Sequence, residues 1–168
     1  MGLGLMALAI PAAASNMAHR GEDHLRLQTI AEHNRARAMH GLGPLQWDET
    51  LADEAYGHAS YMARTGQFGH DRTPGRRKKQ GENIWRGQRG YFTYHEMVGS
   101  FTDEVRLFRS GVFPNNSRSG DWYDVGHYTQ IIWPTTTHVG CALASSRDKD
   151  YFVCRYSPPG NKDGVRLD

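Results

Sequence analysis

The 168-residue chain has no Lys or Arg ahead of Arg20 and only two cysteines. It also lacks any apolar run near the ~18 residues that a bilayer span needs. There is no HExxH, no CxxC pair, no P-loop and no GxSxG, so the local signatures of those metal, nucleotide and nucleophile sites are missing. The formal net charge of +2 is too small to point to nucleic acid. Hydrophobic residues at 38% and charged residues at 23% exclude a disordered chain. The length fits one domain with a real core.

The apolar block "MGLGLMALAIPAAASN" is followed by small residues, Ala12 to Ala14. It reads as the h-region and cleavage site of a secretory signal. Gly2, Gly4 and Pro11 argue against a buried helix there. Residues 1–15 are therefore set aside as a signal peptide of atypical start, and 16–168 as a single domain. The expected location is secreted or periplasmic.

In an exported chain, a pair of cysteines suggests a disulfide. "VGCALA" and "YFVCRY" read as strands around the polar turn "SSRDKD". With Cys141 opposite Cys154, Leu143 faces Phe152 and the turn falls at Ser146 to Lys149. Closing so short a loop stabilises by roughly 3 kcal/mol at best. A cytosolic chain would instead hold two reduced, buried thiols.

"EDHLRLQTIAEHNRARAMHG" reads as a helix with Leu27, Ile30, Ala31, Asn34 and Ala38 on its buried face. A second helix starts at Asp48 as cap and stops at Gly66, burying Leu51, Ala52, Ala55, Ala59, Met62 and Ala63. A third spans "TYHEMVGSFTDEVRLF" with a stripe of Met97, Phe101, Val105 and Phe108. Helices early and strands late give an α+β fold. A lone hairpin is marginal, so one more strand is expected, with "GENIW" the candidate.

Four ionisable residues stand among Gly, aromatic or apolar neighbours: His70 in "FGHDR", Glu82 in "GENIW", Glu104 in "SFTDEV" and His127 in "GHYTQIIW". Singly, each could be structural, and sequence spacing alone does not show that the four meet. His33, His40 and His58 sit on helices that need no site to explain them. "RRKK", Arg76 to Lys79, could touch anionic lipid, cell-wall polymer or glycan, or be a solvated loop.

"GHYTQIIWPTT" and "YFVCRYSPPGN" look like the two signature motifs of the CAP superfamily. This superfamily groups cysteine-rich secretory proteins, insect venom antigen 5, plant pathogenesis-related proteins and bacterial members. "HNRAR" (His33, Asn34, Arg37) and "GENI" (Gly81 to Ile84) match two further family motifs, in order. The chain resembles a bacterial-type member over about residues 24 to 161. The resemblance implies a three-layer α-β-α sandwich with a small antiparallel sheet, and a short helix at "HYTQIIW". It also implies a Cys141–Cys154 disulfide, in agreement with the hairpin register.

The family's cavity carries two histidines and two glutamates. Residue by residue, these are His127, Glu82, His70 and Glu104. His70 is followed by Asp71 where the family has a small polar residue, and Glu104 follows Phe101 where the family has Trp. Two imidazoles can bind Zn²⁺ with carboxylates as outer acceptors. A hydrogen-bonded cluster without metal is the alternative. His33, Asn34 and Arg37 read as structural, Arg37 as a multi-donor clamp. Asn83 and Asn161 read as turn residues that hold loop backbone.

The expected function is binding: a divalent metal, zinc first, at His70 and His127, and a lipid, sterol or envelope glycan in a groove beside them. The alternatives are a metal-dependent hydrolase with Glu82 or Glu104 as base, and a structural or signalling module with an inactive cavity.

Overall fold

The structure, a computed structural model, describes residues 20–168, so the signal-peptide expectation for residues 1–15 lies outside the described residues. The elements run in the order α1 (Glu22–Ala38), β1 (Gln46–Trp47), α2 (Glu49–Thr65), α3 (Arg76–Lys79), β2 (Gly81–Gln88) and α4 (Tyr94–Thr102). A 3₁₀ turn (Asp103–Arg106), β3 (Gly111–Val112), a second 3₁₀ turn (Trp122–Val125) and α5 (Gly126–Ile131) follow. The chain ends with β4 (His138–Ser145), β5 (Lys149–Ser157) and β6 (Arg166–Leu167).

The main sheet has the order β1-β4-β5-β2. Its β4–β5 and β5–β2 pairs are antiparallel, and the two-residue β1 adds a parallel edge. "GENIW" is the extra strand the hairpin needs, and it forms the other edge. Cys141 pairs with Cys154 and Leu143 with Phe152, as the hairpin register predicts. The two sulfurs are bonded, with the Cα atoms 4.1 Å apart.

Alternation along the strands divides two cores. On one face α2 brings Ala55, Ala59 and Met62 against Ile84, Ala142, Tyr151 and Val153. On the other, Val139, Cys141, Phe152, Cys154 and Tyr156 meet residues of α1, α4 and α5, among them Ala36, Met97, Phe101, Tyr128 and Ile131. Helices on both faces of a small sheet make the α-β-α sandwich. Gly140 is where α2 docks: a Cβ there would stand 2.3 Å from the Ala52 amide nitrogen.

Helix boundaries follow local chemistry. Asp48 accepts from the Leu51 amide, and Gly66 closes α2 in the left-handed region. Thr93 and Glu96 form a reciprocal capping box on α4. That helix tightens into the 3₁₀ turn at Asp103, so the predicted third helix is an α-helix followed by a tighter turn that keeps Phe108 buried.

Several expectations need correction. The buried face of α1 is Thr29, Glu32, His33, Ala36 and Arg37, while Leu27 is 67% exposed. Hydrogen bonding decides the face: His33 bonds to Tyr156 and Arg37 to backbone carbonyls across the core. Asn83 lies in strand β2, not in a turn, and "RRKK" forms one helical turn. The C-terminal segment, for which the sequence offers no strand pattern, returns as β6 to pair with β3 and buries Leu167.

Candidate functional site

Glu82 sits near the start of edge strand β2, directly opposite Arg155 of β5. Both side chains turn toward the α2 face, where Glu82 is 9% exposed and Arg155 2%. His70, in the loop after α2, places Nδ1 2.7 Å from Glu82 Oε1. The Asp71 amide donates to the same oxygen at 3.1 Å. Arg155 Nη2 lies 3.2 Å from Glu82 Oε2, and Arg76 Nη2 3.5 Å from Oε1. Burial alone would push the Glu82 carboxyl up. The His70 hydrogen bond and the charges of Arg155 and Arg76 outweigh burial and hold it below the usual carboxylate range.

The second pair belongs to the opposite layer. Glu104, on the first 3₁₀ turn, accepts from His127 Nδ1 at 2.5 Å. Its other oxygen accepts from the amides of His127 and Tyr128 at 2.9 and 3.0 Å. The His127 ring stacks on Phe101, centroids 4.7 Å apart, and Phe101 stacks in turn on Phe152 of β5. Glu104 lies three residues after Phe101 and four before Phe108, at the border of the apolar stripe, and that position sets it under His127.

Asn83 ties the halves together. Being one residue past Glu82, it points to the other face. There its Nδ2 donates to the His127 carbonyl at 3.1 Å and to the Tyr156 hydroxyl at 2.9 Å. Gly81 lets α5 approach: a Cβ would stand 2.0 Å from Gln130 Oε1. Asn161, at φ 54°, accepts from Thr129 and donates to the Gly126 carbonyl, bracing α5 from behind.

The four predicted residues therefore form two His–Glu pairs around one sheet edge. They are not one tight cluster. Among the described residues, the three-member groups of ligand-type atoms within 4.8 Å reduce to His33, Cys141 and Cys154. That group offers no thiolate, because its sulfurs are bonded to each other. Both nitrogens of its imidazole are also engaged, by the Thr29 carbonyl and the Tyr156 hydroxyl.

In each His–Glu pair an ionised carboxylate can only accept, so Nδ1 carries a proton, and in the neutral ring Nε2 holds the lone pair. That is the tautomer a metal takes, with the carboxylate as the outer acceptor. An imidazole nitrogen presented in this way is a donor of the type zinc binds.

Sequence reasoning missed Arg155, Arg76 and His58. His58 Nε2 donates to the Gly69 carbonyl at 2.9 Å and lies 3.8 Å from Glu82 Oε2. A signal existed for one of them: "RRKK" was singled out, and its first member turns inward. Arg37 is the predicted clamp, donating to the carbonyls of Gly43, Ile131, Trp133 and Thr136 at 2.7 to 3.1 Å.

The chain is similar to several known proteins. It is 36% identical over 141 residues to pathogenesis-related protein PR-1 of Medicago truncatula, covering 83% of this chain and 76% of that one. It is 32% identical to pathogenesis-related protein 1A of Nicotiana tabacum over 79% of this chain and 74% of that one. The fungal protein Repressed by EFG1 protein 1 of Candida albicans matches at 30% over 83% of this chain and 48% of its own. These relatives are plant and fungal and lend no support to a bacterial-type assignment.

Among solved structures, NaASP2 with Zn²⁺ superposes with a TM-score of 0.70 at 22% identity, covering 88% of this chain and 86% of that one. Hookworm platelet inhibitor does so at 0.66 and 20%, over 88% and 76%. At these identities the likeness is one of fold. The profile of the cysteine-rich secretory protein (CAP) family matches residues 30–156. With that match, the order of its motifs and the sandwich they build, the chain belongs to the CAP family.

Proposed function

We propose that this is an exported CAP-domain protein that binds a divalent metal, zinc first, through His70 and His127, and holds a lipid, sterol or envelope-glycan ligand in the cleft beside His70. One observation carries the metal reading. Each histidine commits Nδ1 to a glutamate, leaving Nε2 without a hydrogen-bond partner among the described residues. Glu82 and Glu104 would fix the two rings and raise their basicity. That NaASP2 was solved with Zn²⁺ supports the same reading. Bound zinc would supply Lewis acidity and charge. The disulfide supports export, since such bonds persist in oxidising compartments. Among the described residues no helix is long and apolar enough to cross a membrane.

A hydrolase reading needs a carboxylate poised near neutral pH. Glu82 is the weaker candidate for that base, because its carboxyl is held low and its side chain is 1% exposed. Zinc titration of the purified domain tests the metal reading. Wild type should bind with an affinity that His70→Ala and His127→Ala each lower at least tenfold. Equal affinity in all three proteins would remove the site. Lipid extraction from protein purified out of its host tests the ligand reading, with a stoichiometric ligand expected. A ligand-free protein that also fails to take up sterol or fatty acid counts against it.

A further inference from the structure

Between α2 and the segment 67–80 lies an open cleft of about 900 Å³. Tyr61 and Phe68 line it with partly exposed rings, and Arg72 and Lys79 stand exposed at its rim. Arg155, almost fully buried, lines its depth.

Asp71 and Glu54, the acids lining this cleft, have hydrogen-bond partners, while buried Glu82 Oε2 has an ion pair with Arg155 but no hydrogen bond. Asp71 accepts from the Thr73 amide and hydroxyl at 2.8 and 2.7 Å, and from Arg155 at 2.7 Å. Glu54 accepts from Gln80. Glu82, underneath, is held by His70 and the two arginines.

The cations are not matched in the same way. Arg72 and Lys79 have no ion pair among the described residues. Arg155 spends Nη2 on Asp71 and Glu82, yet its buried Nε and Nη1 have no acceptor. Charged donors left buried and unpaired are costly, and an oxyanion is the partner that relieves them best.

We propose that this cleft seats an anionic group, a phosphate or carboxylate, with Arg155 beneath it, Arg72 and Lys79 closing on it, and Tyr61 and Phe68 against the organic remainder. A neutral sterol would leave the Arg155 donors as they are, so the cleft selects for charge. The inference rests on the ligand half of the function proposed above and is independent of the metal half.

The test is an NMR titration of the full chain in EDTA, using inorganic phosphate and, separately, lysophosphatidate below its micelle concentration. Saturable shifts are expected at the cleft amides of Gly57, Gly69 and Gly75. Arg72→Gln/Lys79→Gln, two exposed changes that leave the fold intact, should weaken binding at least tenfold. Arg166→Gln, a change outside the cleft lining, should not. Arg155→Lys should weaken binding too, provided its spectrum stays folded. Tighter binding of lysophosphatidate than of phosphate identifies a lipid headgroup as the source, and equal binding a soluble phosphate. No saturable shift with either probe, or an unchanged affinity in the rim variant, overturns the proposal. A protein that still binds zinc at His70 and His127 after such a result keeps the metal reading. One that carries an extracted neutral lipid keeps the groove reading and loses the anion.

Discussion

Glu104 caps the helix that carries His127. The residue before α5, Val125, has no side chain able to accept, and Glu104 takes its place from another segment of the chain. One carboxylate oxygen receives the His127 and Tyr128 amides while the other receives His127 Nδ1. The position of the helix and the orientation of the ring are therefore set by a single side chain.

Glu104→Gln separates these roles. One carbonyl oxygen can still accept from the amides, but the NH₂ group then opposes Nδ1–H. The expected result is a folded protein whose zinc affinity falls about 10–100-fold, read by competition with a chromophoric chelator. Unchanged affinity would mean that Glu104 acts on α5 alone.

His33 gives the fold a dependence on pH. Burial, helped by Arg37 and opposed by the Thr29 carbonyl, lowers its pKa from 6.5 to about 4. The unfolded chain binds more protons between those values, so the stability His33 contributes is complete above 6.5 and is lost as pH falls toward 4. The loss is of order 3 kcal/mol. Glu82 and Asp71, both held low, add loss of the same sign from the ordinary carboxylate range downward. Urea denaturation between pH 7.5 and 4.5 should show the slope, and His33→Gln should flatten its upper part. A His33→Gln profile parallel to wild type would contradict the assignment.

Arg20 opens the described chain and inserts its guanidinium beside Asp150, Nη1 to Oδ2 at 2.6 Å, with both side chains nearly inaccessible. Asp150 also accepts from the Gly90 amide and the Ser145 hydroxyl. Removing the cation leaves a buried carboxylate unpaired. Arg20→Ala should cost about 3 kcal/mol in chemical denaturation. A change below ~0.5 kcal/mol would show that Asp150 is satisfied without it.

Arg37→Lys tests the clamp. A single ammonium with three donors cannot reach the four carbonyls that the planar fork serves. We expect destabilisation of about 2–4 kcal/mol, because the stranded carbonyls are buried. Hydrogen exchange should quicken first in α5 and the turn after it. Uniform quickening across the sheet would point instead to a global effect.

Much of this architecture was legible because it rests on local rules. Asp48 and Gly66 announce the ends of α2, and the cysteine spacing fixes the hairpin register. The face of α1 was not legible, since periodicity counts apolar residues. That helix is held by His33 and Arg37, whose partners lie on β5 and beyond α5. Arg155 escaped for a similar reason. In "YFVCRYS" it is one cation at an alternating position, and nothing nearby in sequence says that Glu82 will stand opposite it. The four site residues could be picked by surroundings and resemblance. That they pair as His70 with Glu82 and His127 with Glu104 depends on the sandwich itself.

Edge strand β2 points Glu82 into one layer and Asn83 into the other, so each histidine is mounted on a different slab of the molecule. A ligand gripping both rings would act as a bolt through the sandwich, resisting shear between slabs as well as filling a site. Occupancy should then be visible far from the histidines. Zinc would raise the unfolding temperature in proportion to the logarithm of its concentration, and it would slow exchange in α2 and α4 together, two helices that share no core.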